Sequence, residues 1–289
     1  MSQRPGLQAS PWLALHLAVL LFGTAGLFAR GLSISSINLV FARTAIAAIA
    51  LALVWRFGAA ARGRQTFGWW LLLTGPLLAI HWASFFHAIQ VASVAIGLLG
   101  YASFPLFSVS FAWLAGERPR RSDLLGAGAV SVGLVLLVPQ WSIDNSAVQG
   151  LIWGLLSGAT FAALTMVNRR QVGSVDPVAL GYAQNAVAAL CLLPWVSWPI
   201  AAGGVEWGAL LALGLVWTAL SHTLFITALR AVPAQEAAVV ASLEPVYGIA
   251  LAWYLFGEAP GAREWIGGAM IVGVSVWLTW TRRGERRRT

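Results

Sequence analysis

Long apolar runs alternate with short polar segments along the whole chain, and this alternation dominates the sequence. A helix needs about 20 apolar residues to cross the hydrocarbon core of a bilayer, because each residue adds about 1.5 Å along the axis. Ten runs have close to this length, and each is predicted to form a transmembrane helix. The predicted spans are Trp12–Ala29, Ser36–Trp55, Phe67–Phe86, Ser93–Leu114, Leu124–Val138, Gln149–Asn168, Val178–Trp198, Trp207–Leu229, Ala237–Phe256 and Trp265–Thr281.

The segments between the predicted spans are short, and several contain turn-forming residues such as Asp176-Pro177 and Ala259-Pro260-Gly261. Short connections make consecutive helices antiparallel neighbours. They also leave no room for a soluble domain. The pattern therefore predicts an all-α integral membrane protein with ten transmembrane helices.

The composition supports this fold class, since 59% of the residues are hydrophobic and 10% are charged. A soluble globular domain carries about 25% charged residues. A large soluble protein with an apolar core is the alternative. It does not account for repeated apolar runs of helix length, because helices of this length and polarity are typical of bilayer spans.

The net charge is +8, and all 18 cationic side chains are arginines. A basic balance can indicate a nucleic-acid partner, but here the arginines cluster between apolar runs, which is typical of cytoplasmic loops. With the N-terminus inside, only Arg30 and Arg263 fall outside, and Arg43 falls within a span. We therefore expect a multi-pass protein of a bacterial inner membrane with both termini in the cytoplasm, and no nucleic-acid partner. The arginines expected inside are Arg4, Arg56, Arg62, Arg64, Arg118, Arg120, Arg121, Arg169, Arg170, Arg230, Arg282, Arg283, Arg286, Arg287 and Arg288.

The second half of the chain repeats motifs of the first half, which predicts two repeats, residues 1–145 and residues 146–289. Each repeat holds five predicted spans, and five is odd, so the second repeat enters the membrane from the opposite side. Inverted repeats are a recurring design of transporters, with the substrate site at the midplane between the halves. A duplication that serves stability alone is the alternative. The matching positions, spaced by 140 or 141 residues, include Ala88 and Ala228, Pro105 and Pro245, Gly116-Glu117 and Gly257-Glu258, and Gly126 and Gly267.

These duplicated motifs carry a resemblance to a known family. A proline inside the fourth and ninth spans and a Gly-Glu pair at their ends resemble the EamA-type domain, which occurs twice in the ten-helix members of the drug/metabolite transporter superfamily. The aromatic-rich third and fourth spans are similar in particular to the YddG-type aromatic amino-acid exporters. The resemblance implies ten helices in two five-helix halves and export of metabolites or drugs. The narrower one implies phenylalanine, tyrosine, tryptophan or similar amphipathic solutes.

Two charged residues fall inside predicted spans, where polar groups are expensive and serve packing, a cavity or a substrate. Arg43 cannot readily lose its charge, so its side chain must reach the interface, pair with an acid or face a cavity. The favoured interpretation is an interfacial anchor or an ion pair. Glu244 is the only acid well inside a span. It is either a site carboxylate, acting as a proton carrier or as the partner of a substrate ammonium group, or a structural contact near Pro245.

The third span carries His81, Trp82 and Phe85, and the second copy aligns His222 with Trp82. A histidine at similar depth in both halves predicts a pair that lines a central cavity, because histidine can donate a hydrogen bond and titrate near neutral pH. The alternative is an interhelical hydrogen bond. The spacing of these residues does not fit a metal site.

Further aromatic and polar residues complete the predicted site. Tyr101 lies near Pro105, and a proline that breaks a helix frees backbone carbonyl groups beside it. Trp153 and Phe161 would add an aromatic wall, and Asn185 a polar group. Packing or lipid contact is the alternative for each aromatic residue alone. The predicted substrate-binding residues are His81, Trp82, Phe85, Tyr101, Trp153, Phe161, Asn185, His222 and Glu244.

The favoured function is a secondary transporter that exports small amphipathic metabolites, with aromatic amino acids first, by alternating access and with or without protons. A broad-specificity drug or metabolite efflux carrier is the alternative. An enzyme is not expected, since the polar residues are scattered, and a scaffold would gain nothing from inverted repeats. No Walker-type loop is present, so no cofactor and no ATP drive are expected. Glycine-rich runs in the fifth and tenth spans predict helix packing or a dimer face, although a monomer suffices for a pathway.

Overall fold

The computed structural model describes residues 10–57, 68–116, 118, 121–138, 142–169, 175–201, 203–229, 231–232, 240–241 and 243–286. Some residues named above lie outside this described part, so their predicted roles stay predictions. They are Arg4, Arg62, Arg64, Phe67, Glu117, Arg120, Arg170, Arg230, Ala237, Arg287 and Arg288.

The secondary structure of the described residues is helical throughout. The helices are α1 (Pro11–Gly31), α2 (Ser36–Phe57), α3 (Leu71–Val91), α4 (Val94–Tyr101), α5 (Phe104–Leu114), α6 (Arg121–Leu137), α7 (Ser146–Arg169), α8 (Pro177–Leu192), α9 (Gly204–Gly214), α10 (Ser221–Leu229), α11 (Glu244–Phe256) and α12 (Ala262–Arg286). A short 3₁₀ turn, Leu193–Trp195, follows α8, and a π-helical turn, Leu215–Leu220, joins α9 to α10.

Seven helical segments in the described residues are long and apolar enough to cross a membrane. They correspond to the first four and to the sixth, seventh and eighth predicted spans. The helices α6, α11 and α12 lie at the other three predicted positions. The chain is therefore a multi-pass membrane protein, and the count of ten crossings stays a prediction.

The helices α5 and α11 both begin with a proline in their first turn. α4 ends at Tyr101, and α5 begins at Phe104 with Pro105 in its first turn. Proline lacks a backbone N–H and fits the first turn of a helix, where that donor has no partner in any case. The predicted break in the fourth span is confirmed, and α11 likewise begins with Glu244 and Pro245.

Glycines allow three pairs of helices to touch backbone to backbone. A β-carbon added at Gly23 of α1 would lie 2.4 Å from the carbonyl oxygen of Glu244, at the start of α11. One added at Gly154 of α7 would lie 2.9 Å from the α-carbon of Gly100 in α4. Small residues at such crossings replace the hydrophobic effect as the source of helix association in lipid, because close backbones gain van der Waals contact.

The third crossing joins α6 to α12, where the sequence predicts small-residue packing. A β-carbon at Gly267 would lie 2.6 Å from the carbonyl oxygen of Gly133. The packing role is confirmed for these two glycines. Gly128 and Gly273, from the same runs, face open space, with no atom within 4 Å of an added β-carbon.

Packing places α3 in the interior of the bundle, because α3 contacts α7 and α8 on one side and α1, α2 and α4 on the other. An ion pair stabilises one end of the bundle. It joins Arg30, at the end of α1, to Glu258, which follows α11. The second carboxylate oxygen of Glu258 accepts a hydrogen bond from the backbone N–H of Val94 at 3.2 Å, at the start of α4. Three helix ends are thereby joined at this end of the bundle.

Candidate substrate-binding site

Helix α3 brings three of the predicted site residues into the centre of the bundle. His81, Trp82 and Phe85 are all buried. His81 and Phe85 are four residues apart and share a face, which packs against α4 and α7. Trp82 follows His81 by one residue and points toward α2 and α10, as its ring contacts show.

An aromatic cluster, formed by His81, Phe85, Tyr101, Phe104 and Phe161, joins α3, α4, α5 and α7. The ring of Phe161 lies 5.1 Å from His81, 5.3 Å from Tyr101 and 5.4 Å from Phe104, between ring centroids. The ring of Tyr101 lies 5.7 Å from Phe85 in an edge-to-face arrangement. Such separations and angles are favourable for aromatic rings, because the positive edge of one ring meets the negative face of another. The helix break after Tyr101 therefore borders the cluster, as predicted.

His81 is held in the cluster by Ser157 of α7. With its proton on Nε2, the ring accepts a hydrogen bond from Ser157 Oγ at 2.8 Å. With its proton on Nδ1, it donates to the carbonyl oxygen of Ser157 at 3.1 Å. His81 therefore forms an interhelical hydrogen bond, which was the alternative interpretation, and it also belongs to the aromatic cluster.

The replacement Ser157→Ala is expected to lower the free energy of unfolding by about 1 kcal/mol, the typical value of one hydrogen bond. The backbone carbonyl group remains as a partner for His81, so the loss stays small. Thermal unfolding of the purified protein checks this. Ser131→Ala is the matched control, since Ser131 Oγ is exposed and bonds only the Ala127 carbonyl oxygen of its own helix. Equal melting temperatures for the two variants would contradict the expected role of Ser157.

Arg43 of α2 lies inside the protein rather than at its surface. Its side chain is only 2% exposed. The guanidinium carbon lies 4.0 Å from the ring centroid of Trp82 and 5.0 Å from that of Phe86. Among the described residues, no carboxylate lies within 4 Å of it. The prediction of an interfacial anchor or an ion pair is therefore wrong, and the reason is tertiary: α3 covers the side chain with aromatic faces.

The π-helical turn between α9 and α10 supplies the hydrogen-bond acceptors for Arg43. Arg43 Nε donates to Thr218 Oγ1 at 2.9 Å, and Nη2 donates to the carbonyl oxygen of Trp217 at 3.3 Å. Thr218 Oγ1 in turn donates to the carbonyl oxygen of Leu213, five residues earlier, at 2.8 Å. π-Helical turns occur often at functional sites. No local signature in the sequence marks this turn.

His222 of α10 meets Trp82 across the centre, as an edge-to-face pair with 5.0 Å between ring centroids. Its ring also packs on Phe22 of α1, at 5.2 Å. The Trp82 ring also lies 6.4 Å from the His81 ring, so one indole group contacts both imidazole groups. The structure therefore brings together the two histidines that the sequence pairs by position.

Glu244 is the first residue of α11 and adjoins the aromatic cluster at Tyr101. It is 8% exposed, and its carboxyl group lies beside the hydroxyl group of Tyr101. The N-terminus of a helix favours a negative group, because its backbone N–H groups carry partial positive charge. The close approach of Gly23 holds this helix end in place. Glu244 is thus the acid nearest to the aromatic cluster in the described structure.

The chain as a whole matches a known transporter family. The profile of the EamA-like transporter family matches residues 10–138 and residues 148–280. The chain belongs to the EamA-like transporter family. The resemblance to the drug/metabolite transporter superfamily is confirmed by this match.

Two relatives of this EamA-like transporter carry names that state a cargo. The pseudopaline exporter CntI of Pseudomonas aeruginosa is 31% identical over 255 residues, which cover 86% of this chain and 87% of CntI. The aromatic amino acid exporter YddG of Ancylobacter novellus is 28% identical over 220 residues, which cover 73% of this chain and 75% of YddG. A solved crystal structure, 24% identical, superposes with a TM-score of 0.65 over 97% of this chain and 99% of its own, and it shares the fold.

Two predicted site residues of this EamA-like transporter lie apart from the aromatic cluster. Trp153 is 38% exposed, and its ring packs edge-to-face on His87 at 4.9 Å. Asn185 is fully buried in α8, where its Nδ2 donates to the carbonyl oxygen of Gly181 at 2.8 Å. Its Oδ1 has no hydrogen-bond partner in the described residues. The described ring contacts of Trp153 and hydrogen bonds of Asn185 do not reach the cluster.

Two cavities of the transporter lie outside the central residues. One has a volume of about 740 Å³ between α3, α7 and α8, and it is lined by Trp153, His87 and Gln90 among others. The other, of about 480 Å³, lies between α1 and α11 beside Trp217. The members of the aromatic cluster line neither cavity. Their rings pack on one another.

Proposed function

We propose that this EamA-like transporter exports small amphipathic metabolites, aromatic amino acids first among them, across a bacterial inner membrane by alternating access. The observation that carries the proposal is an aromatic cluster, three of whose five rings are buried, flanked by charged and polar groups within a multi-pass bundle. Ligand sites combine apolar and aromatic walls with a few polar groups that fix orientation. A flat ring with polar substituents fits that combination.

The pairing of helices supports two inverted repeats, residues 1–145 and 146–289. With five spans in each repeat, α7 and α8 are the equivalents of α1 and α2, and α9–α10 is the equivalent of α3. α3 packs on α7 and α8, and α9–α10 correspondingly packs on α1 and α2. α4 and α5 pack on α7, and their equivalent, α11, packs on α1. These contacts between the halves therefore occur in equivalent pairs, as a two-fold relation requires.

The contact between Trp82 and His222 supports an axis through the centre. These residues occupy equivalent positions of the two repeats, 140 residues apart. In a two-fold arrangement only residues near the axis meet their own equivalents. Halves related by an axis in the membrane plane can exchange conformations, which opens one central site to either side in turn.

The cargo and the direction of transport rest on chemistry and on the named relatives. Both named relatives are exporters, one of pseudopaline and one of aromatic amino acids. These cargoes differ, and aromatic amino acids suit the cluster of five rings better as a first candidate. The arginine distribution favours cytoplasmic termini, and in that topology the Arg30–Glu258 pair faces the outside.

Reconstitution in liposomes tests this proposal. Liposomes that contain the pure protein are loaded with labelled tryptophan, phenylalanine or threonine, and release is followed with and without a pH gradient. We expect tryptophan and phenylalanine to leave about tenfold faster than threonine, which corresponds to about 1.4 kcal/mol of selective binding. Equal release of all three would favour the broad-specificity carrier. Release of every solute at the rate of protein-free liposomes would contradict a transport function. A release rate that changes with the pH gradient would indicate proton coupling.

A further inference from the structure

Arg43 carries a permanent charge into the centre of the protein. A guanidinium group is not deprotonated in proteins, and Arg43 is among the largest fully buried side chains. Burial of an ion costs several kcal/mol even after the surroundings relax. Buried charges are therefore normally paired with an opposite charge.

The surroundings of Arg43 satisfy this charge only in part. Its two hydrogen bonds, to Thr218 Oγ1 and to the Trp217 carbonyl oxygen, use two of the five N–H groups of the guanidinium. Aromatic faces of Trp82 and Phe86 cover the remaining surface with a weaker attraction. All of these groups are neutral, and no acid of the described chain lies within 4 Å. Among the described residues, the positive charge of Arg43 therefore has no negative partner.

We infer that Arg43 binds the carboxylate of the transported solute, so that the cargo class is a carboxylate-bearing aromatic solute. A carboxylate matches the guanidinium fork with two parallel hydrogen bonds. The Trp82 ring that stacks on Arg43 lies 6.4 Å from the His81 ring of the aromatic cluster, between centroids. A solute held at Arg43 by its carboxylate therefore has its ring within reach of the cluster once the centre opens. This inference rests on the proposed function and names its substrate class.

A purely structural role predicts something different. In that case Arg43 would only tie α2 to α3 and to the π-helical turn through its described contacts. Its replacement would then weaken the fold and slow every solute to the same degree. Selectivity for the carboxylate therefore separates the two roles.

Release of labelled tryptophan is compared with release of labelled tryptophanamide, which lacks only the carboxylate, after subtraction of protein-free liposomes. The wild-type protein is expected to release tryptophan about ten- to a hundredfold faster, the range for a hydrogen bond to a charged group. Arg43→Gln is expected to remove this difference by slowing tryptophan alone. Arg43→Lys keeps the charge without the fork and should give an intermediate ratio. The matched control is Arg56→Gln, because Arg56 lies in the same helix, is exposed and faces Phe57 at 5.6 Å.

The possible results of this experiment distinguish the carboxylate-binding role of Arg43, its structural role and the proposed transport function. Equal release of the acid and the amide by the wild-type protein would overturn the inference and leave the transport function standing. A uniform slowing of both solutes by Arg43→Gln, with a lower melting temperature, would overturn it in favour of the structural role. Release of neither solute by any variant would overturn the proposed function itself. If Arg43→Gln does not fold, the acid-to-amide ratio of the wild-type protein and of Arg43→Lys still decides.

Discussion

Replacement of Gly23 by alanine is expected to lower the melting temperature of the purified protein by about 5–10 °C. The added β-carbon would lie 2.4 Å from the Glu244 carbonyl oxygen and 3.1 Å from its carbonyl carbon, and both are backbone atoms. Backbone cannot yield as the tip of a flexible side chain does, so α1 and α11 must separate. Overpacking of this kind costs about 1–3 kcal/mol, and about 2–4 °C accompany each kcal/mol in a chain of this size.

The control for this prediction is Gly273→Ala in α12, where an added β-carbon has no atom within 4 Å. Alanine forms helix more readily than glycine by up to about 1 kcal/mol, so this variant should melt at or above the wild-type temperature. Thermal unfolding in detergent measures both variants. A Gly23→Ala variant as stable as the control would mean that α1 and α11 do not cross as closely as described.

Glu244→Gln is expected to slow the release of labelled tryptophan about ten- to a hundredfold, since it removes a charged hydrogen-bond partner. Glutamine has nearly the same shape and can still contact the Tyr101 hydroxyl group, so the fold should persist. The reason for the loss is that this acid lies beside the aromatic cluster, next to the Tyr101 hydroxyl group. Beside the Tyr101 hydroxyl group it is suited to the ammonium group of an amino acid whose carboxylate binds Arg43. If it carries protons instead, the variant should lose any response to a pH gradient.

Asp144→Asn is the control for Glu244→Gln, because Asp144 is an exposed acid in the segment before α7. Release by this variant should match the wild-type protein. The contrary outcome for Glu244→Gln is a fall in melting temperature in proportion to the fall in release. That result would assign Glu244 to the structural contact near Pro245, which the sequence left open.

Several features of this protein follow from local sequence alone. Each predicted span overlaps a described helix, because the length of apolar chain needed to cross a bilayer is a local property. The break at 102–103 follows from Pro105, since proline limits its own turn and the residue before it. The pairing of His222 with Trp82 follows from the internal repeat, and membership in the EamA-like transporter family confirms the resemblance that the duplicated motifs carry.

Other features depend on how the helices pack. The sequence marks Arg43 as unusual, but only α3 and the π-helical turn show that its partners are aromatic faces, a hydroxyl group and a carbonyl group. The π-helical turn itself has no local signature. Trp153 and Phe161 lie on one predicted helix, α7, yet Phe161 joins the aromatic cluster and Trp153 lines an outer cavity.

The physical reason is the solvent. In a soluble protein, the apolar stripe of a helix identifies the face that packs on the core. In lipid, both the inner and the outer face of a helix are apolar. Hydropathy therefore determined that this chain crosses a membrane and where its helices run. It contains little information on which face of each helix turns inward, and that choice, which decides the residues of the site, was made by close packing of small residues and by the few buried polar contacts.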